Sequence, residues 1–342
     1  MKYFLVGDMH VQPSNINDSN AIFNKIAKMI NKEVNHVVFL GDMFHTHSVV
    51  RTEVMSCVTE GINKIINAGG RVIYISGNHD NQTPKATDAI TAPKFILPKE
   101  VLYIDHNIEK PVEISKNVYG IGFIGDNDKF INLVRTLDNS DAIIFHHQTL
   151  AGAKYENGFP AHGAIDFEEI KCKQFIGGHI HTAQENGKSW YPGSPRAITK
   201  AEVNMDKGFY AYDSETGARA FHSLNSLVKT YKRYEILEEN GLDVEMLDNP
   251  AFSEKDNVTV FVKGTQDFYD ALVKKYKKLG KIGFVRDVKV NIDRKIDTNK
   301  SNFTIDTLYH EYVFKVSKIP DSMKGDVWNE LQRLVPNLGS SK

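Results

Sequence analysis

Five short stretches of this 342-residue chain carry side chains from which a metal centre can be built. Each follows one plan: an apolar run, a tight turn, then Asp, Asn or His. They are Asp8-Met9-His10 after residues 3–6, Gly41-Asp42 after 37–40, and Gly77-Asn78-His79-Asp80 after 72–76. The others are His146-His147 after 142–145 and Gly178-His179-Ile180-His181 after 174–176. In extended chain a spacing of two puts both side chains on one face, as for Asp8 with His10 and His179 with His181. Glycine at 41, 77 and 178 permits sharp turns and close backbone approach. A mixed oxygen and nitrogen donor set suits Mn²⁺, Fe²⁺ or Zn²⁺ better than an all-oxygen Ca²⁺ site. There are more donors than one tetrahedral ion needs, so two ions sharing a bridging carboxylate is the economical reading. Such a pair, about 3.5–4 Å apart, can activate water, orient a phosphate and neutralise charge during in-line displacement. Singly, each piece has a bland reading: D-x-H is often structural, and Asn-His-Asp can cap a helix. The ordered set of five, each after a β-type run, is what carries the argument.

These residues must be positioned by strands whose ends share a sheet edge, because open α/β sheets bind ligands at the carboxyl ends of their strands. Apolar runs at 3–6, 37–40, 72–76, 118–124, 142–145 and 174–176 read as buried strands. Helical spacing of Ile22, Ile26, Met29 and Ile30, and of Val54, Val58, Ile62, Ile65 and Ile66, predicts helices between them. Residues 127–137 supply another. This alternation predicts a layered α/β domain over 1–225.

The character changes near residue 226. A strand at 257–263, a helix at 268–279 and a strand at 285–292 predict a small α+β domain over 226–297. Beyond a polar linker, Ile305, Leu308, Tyr309, Tyr312, Val313 and Val316 form one apolar stripe; Val327, Trp328, Leu331, Leu334 and Val335 form another. These predict a helical hairpin over 303–336, too small to build a core alone and so in need of a second surface. Between 263 and 300, eleven Lys and Arg face five Asp, a local excess of six on a chain of net charge −1. Such a stretch reads as a phosphate-contacting wall or as a solvated face. Hydrophobic content of 41% and charged content of 25% describe an ordinary globular protein. The two cysteines, Cys57 and Cys172, lie outside any C-x-x-C pair and read as reduced thiols, which suits a cytoplasm. The apolar start of the chain is too short for a signal peptide, and no apolar run reaches membrane-spanning length.

Over residues 1–200 the ordered motifs resemble the signature of the calcineurin-like metallophosphoesterase superfamily. Within it the chain looks most like the SbcD or meiotic-recombination-eleven DNA repair nuclease subunits, the T-even phage members above all. That narrower likeness rests on Gly41-Asp42-Met43-Phe44-His45, His147-Gln148, Tyr191-Pro192-Gly193-Ser194-Pro195 and the C-terminal pair split by Ile319-Pro320-Asp321. The protein phosphatases of the superfamily carry G-D-x-x-D-R-G and G-N-H-E, which this chain lacks. A small-molecule or cyclic-nucleotide phosphodiesterase, or a non-catalytic scaffold on the same fold, are the alternatives.

The resemblance implies a layered metallophosphoesterase sandwich with a small α+β capping domain and a C-terminal hairpin. It implies one ion held by Asp8, His10, Asp42 and His181, and a second by Asp42, Asn78, His147 and His179. The expected ions are two Mn²⁺ per subunit, with Mg²⁺, Fe²⁺ or Zn²⁺ as alternatives. His79 matches the catalytic histidine that stabilises charge and protonates the leaving 3′-oxygen, and His45 the histidine that supports it. If His147 faces the ions, strand alternation turns His146 away; the reverse choice stays open. His47 and His162 could face the cleft but read as solvated or satisfied, and His36, His106, His222 and His310 as structural. The implied activity is 3′→5′ exonuclease on duplex DNA and endonuclease on single strands. The implied partners are DNA, an SbcC-type coiled-coil ATPase bound through 303–336, and a second copy of the subunit, with residues 51–68 a candidate for the homodimer contact. The implied location is the cytoplasm, a host's if the chain is phage-encoded.

Overall fold

A computed structural model describes residues 1–47, 49–83, 93–168, 170–242, 255–276 and 282–286, together with Lys324. The chain divides into two compact units, Met1–Asp287 and Val288–Lys342. The hairpin expected over 303–336 lies outside the described residues, Lys324 apart.

The first sheet is built on β1 (Lys2–Val6), β2 (His36–Phe39), β3 (Arg71–Ile75) and β4 (Leu102–Ile104), all parallel. It is completed by β11 (Gly208–Asp213), antiparallel to β1, and β12 (Arg219–Ser223), in the order β12-β11-β1-β2-β3-β4. The second sheet runs β5-β6-β7-β8-β10-β9. Its strands are β5 (Val112–Ser115), β6 (Val118–Gly120), β7 (Ile143–His146), β8 (Gln174–Gly177), β9 (Gln184–Asn186) and β10 (Ser189–Tyr191). Here β6, β7, β8 and β10 are parallel, with antiparallel edges.

The two sheets face each other, and strand alternation divides every central strand between two cores. Tyr3 and Leu5 of β1, Val38 of β2, and Ile73 and Ile75 of β3 meet Ile143, Phe145 and Ile176 between the sheets. Phe4, Val6, Val37, Phe39, Val72 and Tyr74 point the other way, onto α1 (Ile16–Met29) and α2 (Thr52–Asn67). On the far side Ile144 and Phe175 pack on Phe130, Leu133 and Val134 of α4 (Asn127–Arg135), which follows the short α3 (Pro93–Ile96). Burial on both faces is why these strands read as unbroken apolar runs. The result is the mixed α/β sandwich expected, with helices outside two six-stranded sheets.

One strand is shorter than its apolar run suggested. β6 stops at Gly120, because Phe123 N leaves the second sheet and donates to Ser76 O at 2.7 Å. That crossing ties the ends of the two sheets together beside β3.

In the same unit β13 (Thr230–Leu237), β14 (Asp256–Lys263) and β15 (Ile282–Arg286) form a parallel three-stranded sheet. α5 (Gln266–Tyr276) covers one face through Phe268, Leu272 and Tyr276. β15 begins three residues earlier than the strand expected at 285–292, whose residues 287–292 lie outside the described set. Asp18 of α1 anchors this sheet, accepting from Lys229 N at 2.9 Å and Lys255 Nζ at 3.1 Å.

Phe23 seats α1 on the first sheet. It is fully buried and meets Phe39 edge-on at 5.9 Å. Phe23→Ala should cost about 3–5 kcal/mol, the usual penalty for emptying such a site. Denaturant unfolding should show a lower midpoint at an unchanged slope.

Candidate metal centre

All five strand-end segments arrive at one place, because β1, β2 and β3 of one sheet and β7 and β8 of the other end on the same side. The carboxylates there organise the backbone. Asp8 Oδ1 accepts from His179 N at 2.8 Å and Asp42 Oδ1 from His79 N at 2.8 Å. Asp80 joins the turns after β2 and β3, accepting from Gly77 N at 2.8 Å and Phe44 N at 3.3 Å. His10, Asp42 and His179 adopt left-handed backbone, at φ 43°, 50° and 79°. For non-glycine residues this costs on the order of 1–3 kcal/mol each and collects at functional sites. Close packing accounts for two of the glycines. A Cβ on Gly41 would meet His147 Nδ1 at 2.2 Å, and one on Gly77 would meet Asp42 Oδ1 at 2.2 Å.

Three groups of donors converge, each with ligand atoms within 4.8 Å of one another: Asp8, His10 and His181; His10, Asp42 and His79; Asp42, His147 and His179. Asn78 joins the last, its Oδ1 lying 2.8 Å from His179 Nδ1 and 3.1 Å from His147 Nε2. His147 Nε2 is 3.3 Å from Asp42 Oδ1 and 3.8 Å from Asp8 Oδ1, while its Nδ1 donates to Leu40 O at 2.6 Å. His146 points away, into Phe130, Phe175 and Tyr191, with Nδ1 accepting from Gln148 N at 3.0 Å.

His79 Nδ1 donates to His45 O at 2.7 Å, which leaves Nε2 as the nitrogen able to exchange a proton. His45 lies against His10, Nδ1 to Nδ1 at 3.4 Å, and its ring is parallel to His79 at 6.0 Å. His47, half-buried, stacks on His79 at 4.3 Å and bonds Asn78 O at 3.0 Å, whereas His162 is exposed.

Burial raises the Asp8 carboxyl above its ordinary range, opposed by His147 and His181. Burial would raise Asp42 too, but the charge and hydrogen bond of His147, then His10 and His79, hold it well below that range. His147 answers in kind: burial would lower it, yet Asp42 and then Asp8 push it up to about 9. Burial, with His147 adding to it, pushes His179 down to about 3. Burial and Asp42 raise Asp80 to about 6.

This donor set fits a pair of cations. Asp8 Oδ2, His10 Nε2 and His181 Nδ1 are buried and have no hydrogen-bond partner among the described residues. Two buried carboxylates amid imidazoles need positive charge between them. Asp8, His10 and His181 could hold one ion and Asn78, His147 and His179 another, with Asp42 within reach of both sets.

The model of the calcineurin-like phosphoesterase family matches residues 1–183, more than half of the chain. The chain belongs to the calcineurin-like phosphoesterase family. The metallophosphoesterase fold uses a dinuclear metal site, and the His and Asp groups gathered here are candidates for it. Among individual proteins, the chain is 23% identical over 294 residues to "Exonuclease subunit 1" of Enterobacteria phage T4, covering 82% of this chain and 81% of that one. It is 25% identical over 220 residues to "DNA double-strand break repair protein Mre11" of Nanoarchaeum equitans, covering 57% and 60% respectively. It is 23% identical over 205 residues to "Putative phosphoesterase 244L" of Invertebrate iridescent virus 6, covering 56% and 69%. Among the described residues, no helix of this phosphoesterase is long and apolar enough to cross a membrane.

Sequence reasoning passed over Arg196, Glu202 and Lys207, all buried beside the centre. Arg196 donates to His10 O at 2.6 Å and Met9 O at 3.1 Å. The available signal was the Tyr191-Pro192-Gly193-Ser194 turn, after which Arg196, Glu202 and Lys207 all follow within thirteen positions.

Two outcomes check the centre. Asp42→Ala should lose both ions where Asp8→Ala empties mainly one, measured as Mn²⁺ per chain by elemental analysis. An ion entering beside His147 must displace the proton that a group titrating near 9 holds at neutral pH. Calorimetry of chelator-stripped protein in buffers of different ionisation enthalpy should therefore show proton release at pH 7.5. Affinity should climb as pH rises toward about 9.

Proposed function

We propose that this chain is the nuclease subunit of a DNA double-strand-break processing and recombination complex, hydrolysing phosphodiesters at a two-Mn²⁺ centre. The observation that carries the reading is the convergence of seven donors from five strand ends, with His79 beside them. Similarity to an exonuclease subunit of phage T4 and to a DNA double-strand break repair protein of Nanoarchaeum equitans supports a nuclease acting on DNA. The T4 likeness extends well past the matched family segment, over 82% of this chain.

In this reading Asp8, His10, Asp42 and His181 hold one ion and Asp42, Asn78, His147 and His179 the other. Ions held there would supply an activated water and would neutralise charge on the phosphate. His79 donates a proton to the departing 3′-oxygen, oriented by its bond to the His45 carbonyl, with His45 and His47 flanking its ring. The activity is 3′→5′ exonucleolytic on duplex DNA and endonucleolytic on single strands.

The three-stranded sheet and α5 belong to the cap expected over residues 226–297, whose basic stretch contacts phosphates without reading sequence. Of the basic stretch, Lys263 pairs with Glu235 and Lys275 donates to Leu242 O at 3.1 Å, while Lys274 is exposed on α5. Residues 303–336 bind a coiled-coil ATPase of the SbcC type by helix-face recognition. The subunit acts as a homodimer in the cytoplasm.

The test is incubation with Mn²⁺ and a 3′-labelled duplex, alongside bis-p-nitrophenyl phosphate as a generic diester. Wild-type protein should degrade both, and hydrolysis of the small diester alone would remove DNA from the reading. His79→Gln should keep both ions and DNA affinity while turnover falls by roughly 10²–10⁴.

A further inference from the structure

Beneath one side of the centre lies an ion pair that the proposed chemistry does not use. Lys207 is 2% exposed and the Glu202 side chain 0%. They pair directly; Lys207 also bonds the backbone of the His181 loop, and Glu202 the backbone at Ile198 and Thr199. Lys207 Nζ donates to His181 O at 3.1 Å and to Ser194 Oγ at 3.0 Å. Glu202 Oε1 accepts from Ile198 N at 2.7 Å and Thr199 N at 2.6 Å, and lies 3.9 Å from His181 Nδ1. Ser194 closes the ring: its N donates to His181 O at 3.0 Å, and its Oγ lies 3.2 Å from Glu202 Oε2 and 2.8 Å from Arg196 O. Arg196 then reaches His10 O, which Asn15 Nδ2 also holds at 2.9 Å.

These contacts fall on one side only. They touch the loops of His10 and His181, and none of those just named reaches Asn78, His147 or His179. Water could satisfy an exposed loop carbonyl. A buried lysine and glutamate carry a large desolvation cost, so they hold their partners only in a tightly defined geometry.

We propose that Lys207 and Glu202 are positioning residues dedicated to the Asp8–His10–His181 ion. Their pair, extended through Ser194 and Arg196, sets the His181 and His10 loops before the ion arrives. The second ion, beside Asn78, His147 and His179, is held without them. This inference rests on reading the cluster as a two-metal centre. Groups behind metal ligands typically change affinity by roughly 10–100-fold when removed.

The test variant is Lys207→Met/Glu202→Gln, which removes both charges together while keeping an oxygen for the Ile198 and Thr199 amides. Mn²⁺ titration followed by the spin-resonance signal of free ion should resolve two sites in wild-type protein. In the variant one site should weaken at least tenfold and the other stay unchanged. Ser194→Ala, a milder change that leaves the charges in place, should weaken the same site severalfold. Phe23→Ala controls for lost stability alone and should retain both affinities. Equal weakening of both sites, or wild-type affinity at both in the double variant and in Ser194→Ala, would overturn the proposal. Wild-type protein binding no Mn²⁺ would instead remove the two-metal reading beneath it.

Discussion

The arrangement depends on placing two carboxylates, Asp8 and Asp42, out of water and within reach of the same imidazole. Both are almost completely buried, and His147 Nε2 lies within 4 Å of an oxygen of each. Uncompensated, such a pair would be strongly unfavourable. His147 is pushed up by it and Asp42 pulled down, which shows how the site's negative field demands positive charge. A cation held there would couple metal binding to folding.

That constraint explains the irregular backbone. To point donors inward from strand ends, the chain turns through left-handed geometry at His10, Asp42 and His179. Such conformations persist only where surrounding structure holds them. The hold comes from the carboxylates themselves, which accept from His179 N and His79 N. It comes also from Asp80 bridging two turns and from the Phe123 crossing that joins the sheets. Behind these stand two sheets sharing one core, a rigid frame suited to fixing donors to a fraction of an ångström.

The two sides of the centre are supported differently. The His147 and His179 side leans on strand ends: His147 on Leu40 O, and both on Asn78. The His10 and His181 side leans on a loop, through Ser194, Arg196, Glu202 and Lys207. A loop can hold ligands this firmly only with strong, specific contacts, hence the buried charges.

Much of this protein was legible in its residue order. Apolar runs buried on both faces announced the central strands, and Asp, Asn and His after each marked candidate metal donors, because period and donor chemistry are local properties. Edge strands such as β9 and β12 escaped notice, since short, half-exposed strands leave little periodicity. The early end of β6 is also a tertiary effect: Phe123 finds its partner, Ser76 O, on the other sheet. Sequence alone picked out the candidate donors and the strand ends that bring them together. Only the tertiary structure decided that His147 faces the centre while His146 is buried among aromatic rings, since adjacent identical residues differ only in what surrounds them. It also decided that Lys207 and Glu202 are an interior pair, because a charged residue's burial depends on distant segments folding over it.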